Sequence, residues 1–278
     1  MVAPSCFDPL SAKIIERLKF EACYLGGYST GAHSGITEPL LGLTDMTNLA
    51  RAVANAVNIP LIVDADSGFG DPSSIPRTVR EFERAGVAGI HIEDQVFPKR
   101  FHYHKYSVQK PKRTVHVIPM EEMLSKLRIA VNARENPDFV IIARTDAFAS
   151  EGAEEAFERC KAYYRVGADL IMSFPTGVAD LRNLAEMVDG RVVYVNTEAR
   201  PRPYLTVQEA NRLGVRLLIY ALTATYVTVG AISEVYDRLK TTGDTKLRSA
   251  DMSKRKDLVE GLIGLPDLYK LEERTGRK

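Results

Sequence analysis

The chain of 278 residues contains no tryptophan and only three cysteines, Cys6, Cys23 and Cys160. The cysteines are widely spaced, and three thiols cannot all pair with one another. They also form none of the close Cys pairs typical of structural zinc sites. These counts exclude a small domain built on disulfides or on a cysteine-bound metal. Unpaired thiols are usual in a reducing compartment, so we predict a cytoplasmic protein.

Neither sign of charge predominates, and long hydrophobic runs are missing. The formal net charge is +1, with 26% charged and 45% hydrophobic residues, which is ordinary globular composition. A balanced charge gives no electrostatic basis for binding nucleic acid or a membrane surface. No apolar stretch approaches the roughly 20 residues of a membrane-spanning helix. The expected partner is therefore a small molecule.

Short apolar runs alternate with segments of helical periodicity from end to end. Near-continuous hydrophobicity in the runs is what a parallel sheet covered on both faces requires. The predicted strands are 1–4, 22–26, 60–64, 88–93, 139–144, 169–173, 192–196 and 216–220. Eight such units predict a single α/β domain over residues 1–278, a (β/α)8 TIM barrel with a helical extension from about residue 245. An open doubly wound sheet is the alternative, but neither G-x-G-x-x-G nor G-x-x-x-x-G-K-[ST] occurs.

Two carboxylates end the third apolar run, in the sequence Val63-Asp64-Ala65-Asp66-Ser67-Gly68-Phe69-Gly70. Residues i and i+2 of an extended segment point to the same side, so Asp64 and Asp66 can converge on one point. A cation placed there would reduce their mutual repulsion. Because barrel chemistry lies on the loops after the strands, this pair predicts a divalent-metal site.

Other polar residues follow the remaining strands and face the same end of the predicted barrel. They are Gly26-Gly27, Glu93-Asp94, Arg144 and Asn196. Acidic oxygens together with an arginine suit a magnesium ion and an anionic, oxygen-rich substrate. His91 is read as a core histidine, and 200–203 (Arg-Pro-Arg-Pro) as a surface loop. The long non-periodic segment 97–119 predicts a lid or binding loop.

Several motifs together resemble the isocitrate lyase and phosphoenolpyruvate mutase superfamily. They are 63–70 (VDADSGFG), 89–95 (GIHIEDQ) and 142–147 (IARTDA), supported by 7–12 (FDPLSA) and 24–27 (YLGG). Their order matches the family over almost the whole chain. The resemblance implies a barrel whose eighth helix swaps between subunits, in a homo-oligomer that is a dimer or a tetramer. Within the superfamily, Gln95 and Thr145-Asp146 are similar to the carbon–carbon lyases of methylisocitrate and dimethylmalate.

The resemblance also implies roles for individual residues. Asp64 would bind Mg²⁺, or Mn²⁺ in its place, directly, while Asp66 and Glu93 would hold its waters. Arg144 would bind substrate oxygens. The keto-acid carboxylate would be held by Tyr24, Gly26, Gly27 and Tyr28, and the distal carboxylate by Asn196 and Thr197.

The chain departs from the lyase pattern at the flexible loop. Lys99 and Arg100 match the family and would neutralise substrate carboxylates, but Phe101 occupies the position of the proton-donating cysteine. Phenylalanine transfers no proton, so His102, Tyr103 or His104 is the candidate acid, or the loop only binds anions. A glutamate expected after the sixth strand is replaced around Ser173-Phe174-Pro175. Glu38 could stand in for an acidic residue expected before the second helix.

The sequence thus predicts a magnesium-dependent carbon–carbon lyase. It would cleave a 2-hydroxy di- or tricarboxylate to a 2-oxo acid, pyruvate or glyoxylate, and a second carboxylate. The alternatives are an oxaloacetate-type 2-oxo acid decarboxylase or hydrolase, an enzyme of phosphonopyruvate, and a noncatalytic barrel.

Overall fold

The computed structural model describes residues 1–99, 116–198 and 202–276. Eight parallel strands form a closed barrel in chain order, which confirms the predicted (β/α)8 fold. The strands are β1 (Val2–Cys6), β2 (Cys23–Leu25), β3 (Leu61–Asp64), β4 (Gly89–Glu93), β5 (Val140–Thr145), β6 (Leu170–Ser173), β7 (Val192–Asn196) and β8 (Val215–Tyr220). Closure is made by β1 and β8, with Val2 opposite Leu218.

Twelve α-helices accompany the strands in the described part of the chain. They are α1 (Pro9–Arg17), α2 (Gly27–Ser34), α3 (Leu43–Ala54), α4 (Ile75–Arg84), α5 (Met120–Ala133), α6 (Ala147–Ser150), α7 (Ala153–Arg165), α8 (Val178–Met187), α9 (Val207–Arg212), α10 (Thr223–Thr242), α11 (Ser249–Leu262) and α12 (Leu265–Arg274). The local sequence explains where several of these helices begin. Asp8 caps α1 by accepting from the Ser11 N–H at 2.7 Å, and Thr206 caps α9 in the same way.

The core has two layers that follow from the alternation of side chains along each strand. Outward residues such as Ile141 and Ala143 join helix residues such as Phe82 and Leu127 in the larger cluster. Inward residues such as Ile142 form a smaller cluster, whose buried members all lie on strands except Ala22, which directly precedes β2. The barrel interior is therefore filled, which leaves the strand ends as the place for chemistry.

The chain divides into two compact units, Met1–Ala224 and Thr225–Lys278. The second unit contains most of α10 together with α11 and α12. It exposes many large apolar side chains, among them Val227, Tyr236 and Ile263, which are 58–65% accessible. Among the described residues, no helix is both long and apolar enough to cross a membrane.

We predict that Gly89→Ala destabilises the barrel. A Cβ at Gly89, on β4, would lie 2.7 Å from Val140 Cβ and 2.8 Å from the Val140 carbonyl oxygen on the neighbouring strand. Because the backbone of a buried strand cannot yield, we expect a loss of about 2–3 kcal/mol in the free energy of unfolding, measured by urea denaturation. Gly177→Ala is the control, since its Cβ would meet only Asp180 Oδ2, at 4.0 Å. Equal stability of the two variants would contradict this account of the β4–β5 contact.

Candidate active site

Asp64 is fixed where β3 ends. Its Oδ1 accepts from the Asp66 N–H at 2.8 Å, and its Oδ2 accepts from the Gly27 N–H at 3.1 Å. The carboxylate therefore joins the loop after β3 to the first turn of α2. Burial opposes its charge, but His91, Lys99 and Arg144 outweigh burial and hold the pKa of Asp64 below its usual range. Asp64 is ionised at neutral pH.

The loop after β3 is held in an unusual backbone conformation. Asp66 and Phe69 have φ values of +52° and +56°, which non-glycine residues rarely adopt. The ammonium of Lys126, on α5, donates to the carbonyls of Ser67 at 3.0 Å and Gly70 at 2.8 Å. A buried amine thus clamps the loop that carries Asp66.

A cation lies at the centre of the acidic residues. Lys99 Nζ is 2.6 Å from Glu38 Oε1, 3.1 Å from Asp66 Oδ2 and 3.0 Å from Glu93 Oε1. Burial opposes the charge on Lys99, but the carboxylates of Glu38, Glu93 and Asp66 dominate and raise its pKa well above the ordinary value. The carboxylates converge as the sequence predicted, and Glu38 joins them.

The acidic residues fit a hydrated divalent ion better than a fully dehydrated one. Among the described residues, no group of three His, Cys, Asp or Glu side chains is arranged to coordinate a metal together. Both Glu93 carboxylate oxygens are buried and make ion pairs, but no hydrogen bond within the described part of the chain. A cavity of about 10 Å³ lies beside Gly27, Glu38, Asp64 and Asp66. Mg²⁺ retains several waters and takes few carboxylates, so this donor set suits it.

Arg144 lies next to these carboxylates at the end of β5. Its Nη1 is 2.9 Å from Glu93 Oε2, and its Nε donates to Asp146 Oδ2 at 3.1 Å. The whole Arg144 residue is only 9% exposed. Two acidic partners therefore hold a buried arginine at the barrel mouth, where it can bind an anionic substrate bidentately.

Asp94, the residue after β4, connects the ends of β4 and β5. Its Oδ2 accepts from Thr145 Oγ1 at 2.6 Å and from Tyr163 Oη at 2.9 Å. Its Oδ1 accepts from the Asp146 N–H at 3.0 Å, and Arg159 Nη1 lies 3.2 Å from Oδ2. Asp94 is completely buried. It supports Asp146, which in turn holds Arg144.

Tyr24 and His91 form a buried pair inside the mouth. Tyr24 Oη is 2.9 Å from His91 Nε2, while His91 Nδ1 is 3.7 Å from Asp64 Oδ1. Burial lowers the pKa of His91 to about 4, so the ring is neutral at pH 7. Burial and the Asp64 charge raise the pKa of Tyr24, so its phenol keeps its proton. His91, interpreted from sequence as a core residue, therefore joins two candidate site residues.

Asn196, the last residue of β7, and Thr197 form hydrogen bonds to the segment 202–205. The Asn196 side chain donates from Nδ2 to the Leu205 carbonyl at 2.8 Å and accepts at Oδ1 from the Leu205 N–H at 3.1 Å. Thr197 Oγ1 accepts from Arg202 Nη2 at 2.8 Å. Asn196 is thus engaged with its own chain in this structure, and its predicted contact with a distal carboxylate stays a prediction.

The remaining loop candidates, Arg100, Phe101, His102, Tyr103 and His104, lie outside the described residues. Two residues that matter locally were not among the candidates from sequence, Lys126 and Arg202. Lys126 falls on the buried face of α5, and a lysine at an apolar position of a helix was the available signal.

We predict that Asp94→Asn lowers the free energy of unfolding by about 3 kcal/mol or more, because the amide leaves Arg159 without its buried partner and turns a donor toward other donors. Glu155→Gln is the matched control, since Glu155 also pairs with Arg159, at 2.8 Å, but is 39% exposed. The Glu155→Gln variant should lose less than about 1 kcal/mol in its free energy of unfolding. Urea denaturation measures both variants. Similar losses would show that Asp94 does not organise the strand ends.

Comparison with known proteins agrees with this geometry. A family model described as phosphoenolpyruvate phosphomutase matches residues 1–240. The 2,3-dimethylmalate lyase of Eubacterium barkeri is 37% identical over 283 residues, an alignment that covers 100% of this chain and 94% of the relative.

Two solved structures are similar over nearly the whole chain. Oxaloacetate acetylhydrolase in complex with the inhibitor 3,3-difluorooxalacetate has a TM-score of 0.88 and 30% identity, covering 100% of this chain and 92% of the other. Phosphonopyruvate hydrolase in complex with oxalate and Mg²⁺ has a TM-score of 0.83 and 30% identity, covering 99% and 93%. The chain therefore belongs to the phosphoenolpyruvate phosphomutase family, within the isocitrate lyase and phosphoenolpyruvate mutase superfamily of enzymes.

Proposed function

We propose that this chain is a magnesium-dependent carbon–carbon lyase that acts on a 2-hydroxy di- or tricarboxylate. The products would be a 2-oxo acid, pyruvate or glyoxylate, and a second carboxylate. The observation that carries the proposal is the position of the Lys99 ammonium among three carboxylates beside Asp64, with Arg144 next to them. The similarity to dimethylmalate lyase supports it.

Asp64, Asp66 and Glu93 are the residues that would hold Mg²⁺, with Mn²⁺ as a substitute. When bound, the ion would act as a Lewis acid on the substrate's 2-oxygen and carboxylate. Lys99 pairs with Asp66 and Glu93 and also with Glu38, and these ion pairs set the local charge balance. At neutral pH His91 is uncharged and Asp64 is ionised, so Asp64 can offer its negative charge to a cation.

The substrate's reacting end would be bound by groups around Asp64. Arg144 can donate two parallel N–H bonds to a carboxylate or to the 2-oxygen as its charge changes. The Tyr28 N–H lies in the first turn of α2, at a helix N-terminus where anions are stabilised, whereas the Gly27 N–H donates to Asp64 Oδ2. Gly26 precedes them, and a Cβ there would lie 2.9 Å from the Tyr24 ring. The absence of a side chain at Gly26 therefore allows the Tyr24 ring to pack closely against the backbone before α2.

Cleavage requires a balanced pair of proton movements. The 2-hydroxyl loses its proton to a solvent water, the C2–C3 bond breaks, and C2 becomes the carbonyl carbon of the 2-oxo acid. The electron pair of the broken bond goes to C3, which must take up a proton. We propose His102 or His104 as the donor of that proton, with Tyr103 as the alternative, because Phe101 has no proton to give. Lys99 and Arg100 would neutralise substrate carboxylates during this step.

A second candidate is hydrolysis or decarboxylation of an oxaloacetate-like 2-oxo acid. The similarity to oxaloacetate acetylhydrolase favours it, and such a reaction needs the same carboxylate-binding groups without a cysteine acid.

Phosphonopyruvate is a weaker candidate, because Gln95 and Thr145-Asp146 resemble the carbon–carbon enzymes. A noncatalytic barrel is disfavoured because the buried charges of Glu93, Lys99 and Arg144 would carry a desolvation cost without use.

We also propose that the chain forms a homo-oligomer, a dimer or a tetramer, through its C-terminal helices. The residues that support this are the exposed apolar side chains of α10–α12, including Val227, Tyr236 and Ile263. A monomer seldom exposes so many large apolar groups on consecutive helices.

Asp64→Asn should remove catalysis while preserving the fold, because the amide lacks the charge that a divalent ion requires. We expect Mn²⁺ affinity, followed by electron paramagnetic resonance, to fall at least about tenfold and turnover to fall at least about a hundredfold. Asp71→Asn is the control, since Asp71 is an exposed cap whose Oδ1 accepts from the Ser73 N–H at 2.9 Å, a bond that asparagine can keep. Full wild-type turnover in the presence of a chelator would rule out the metal role.

The loop acid is tested by replacing His102 and His104 separately with glutamine. If one of them protonates C3, its loss should lower kcat by about 10²–10⁴-fold with a smaller change in KM, since the proton moves only in the reaction step. Tyr103→Phe examines the alternative donor in the same assay. Full activity in both histidine variants would eliminate the histidines as required acids.

A further inference from the structure

Two consecutive residues after β4 hold Asp146 at two different places. Asp94 Oδ1 accepts from the Asp146 backbone N–H at 3.0 Å, and the Gln95 side chain donates from Nε2 to Asp146 Oδ2 at 3.0 Å. Gln95 is buried, so its amide makes this bond away from bulk solvent. The backbone bond therefore places Asp146, whereas the amide bond sets the direction of its carboxylate.

The carboxylate that Gln95 contacts also orients Arg144. Arg144 Nε donates to Asp146 Oδ2 at 3.1 Å, and Arg144 Nη2 donates to Asp146 Oδ1 at 3.3 Å. Two parallel bonds of this kind fix the plane of a guanidinium. The last torsion of an aspartate side chain is soft, so a carboxylate held by the arginine alone could turn together with it. A second donor on Oδ2, from the end of another strand, restricts that rotation.

The backbone of Gln95 is itself fixed by a neighbouring segment. Gln95 forms an antiparallel bridge with Val117, and the next N–H, that of Val96, donates to the His116 carbonyl at 2.9 Å. A side-chain amide positions its acceptor well only where the backbone that carries it is held in place. The pairing with residues 116–117 meets this condition, so the Gln95 amide has a defined place beside Asp146.

We infer that Gln95 is a positioning residue for acid binding, because its amide fixes the Asp146 carboxylate and Asp146 fixes the Arg144 guanidinium against the substrate. The inference rests on the proposed function in one respect, namely that a 2-oxo or 2-hydroxy acid binds beside Arg144. The role requires a neutral donor at this position. A glutamate would place a second carboxylate against Asp146, and a methionine would supply no donor.

The first test measures how the wild type and two Gln95 variants bind oxalate. Oxalate offers adjacent carboxylate oxygens to a metal ion and to an arginine, and it is titrated by calorimetry into the full-length protein loaded with Mg²⁺. We expect Gln95→Met to weaken oxalate binding about five- to tenfold, as the loss of one hydrogen bond to a charged group would. Gln95→Glu should weaken it at least about thirtyfold, since the two carboxylates repel each other.

Two further measurements separate positioning from a general structural effect. Since the Gln95 amide acts on Asp146, Gln95→Met should keep the Mn²⁺ affinity, followed by electron paramagnetic resonance, within about twofold of the wild type. If Gln95 acts through Asp146, adding Gln95→Met to Asp146→Ala should change oxalate affinity by less than about twofold. Gln208→Met, at an exposed glutamine of α9, is the matched control and should bind oxalate as the wild type does.

Several results would overturn the inference. They are a wild type that does not bind oxalate, a Gln95→Met variant that binds it as tightly as the wild type, equal losses of Mn²⁺ and oxalate affinity, and full additivity of Gln95→Met with Asp146→Ala. The proposed function is judged separately, by metal-dependent turnover. An active lyase in which Gln95→Met binds oxalate normally would refute only the role of Gln95. Oxalate binding that depends on Gln95, in a protein that cleaves no acid, would refute only the lyase activity.

Discussion

The structure depends most on how buried charge is balanced at the carboxyl end of the barrel. Glu38, Asp66 and Glu93 converge there, and the Lys99 ammonium lies within 3.1 Å of all three. Charges so little exposed are tolerable only if opposite charges are close, because desolvation of each ion is costly. Arg144 supplies the second cation through Glu93. The same balance makes the site receptive to a divalent ion and an anionic acid, since either can replace one of the internal partners.

The surrounding structure serves to keep these charges in place. Lys126 clamps the loop of Asp66 through two carbonyls, while Asp94 fixes the strand ends that carry Glu93 and Arg144. Lys126 acts from α5 on the loop after β3, and Asp94 acts from the end of β4 on the end of β5, so the site is a property of the closed barrel. Such supporting contacts hold catalytic groups within the narrow geometric limits that acid and metal chemistry require.

Much of this was predictable from sequence because parallel strands impose a strong pattern. Eight apolar runs predicted eight strands, and polar residues that ended them, Asp64, Glu93 and Arg144, do meet at one end. Contacts between residues far apart in the chain were not predictable. His91 contacts Tyr24 across the barrel mouth, and Arg202 reaches Phe174 from a proline-rich loop. Neither pairing leaves a periodic signal, since each depends on the three-dimensional register of strands rather than on spacing within one strand.

We propose that the charged mouth of this barrel breaks a carbon–carbon bond with the help of magnesium. The most direct test of this proposal is a product-resolved turnover screen of the wild type, with and without a chelator, on 2-methylisocitrate, isocitrate, alkylated malates, oxaloacetate and phosphonopyruvate. We expect Mg²⁺-dependent release of pyruvate or glyoxylate from a 2-hydroxy acid, with neither carbon dioxide nor phosphate. Carbon dioxide from oxaloacetate alone, phosphate from phosphonopyruvate alone, or turnover that survives chelation would contradict it.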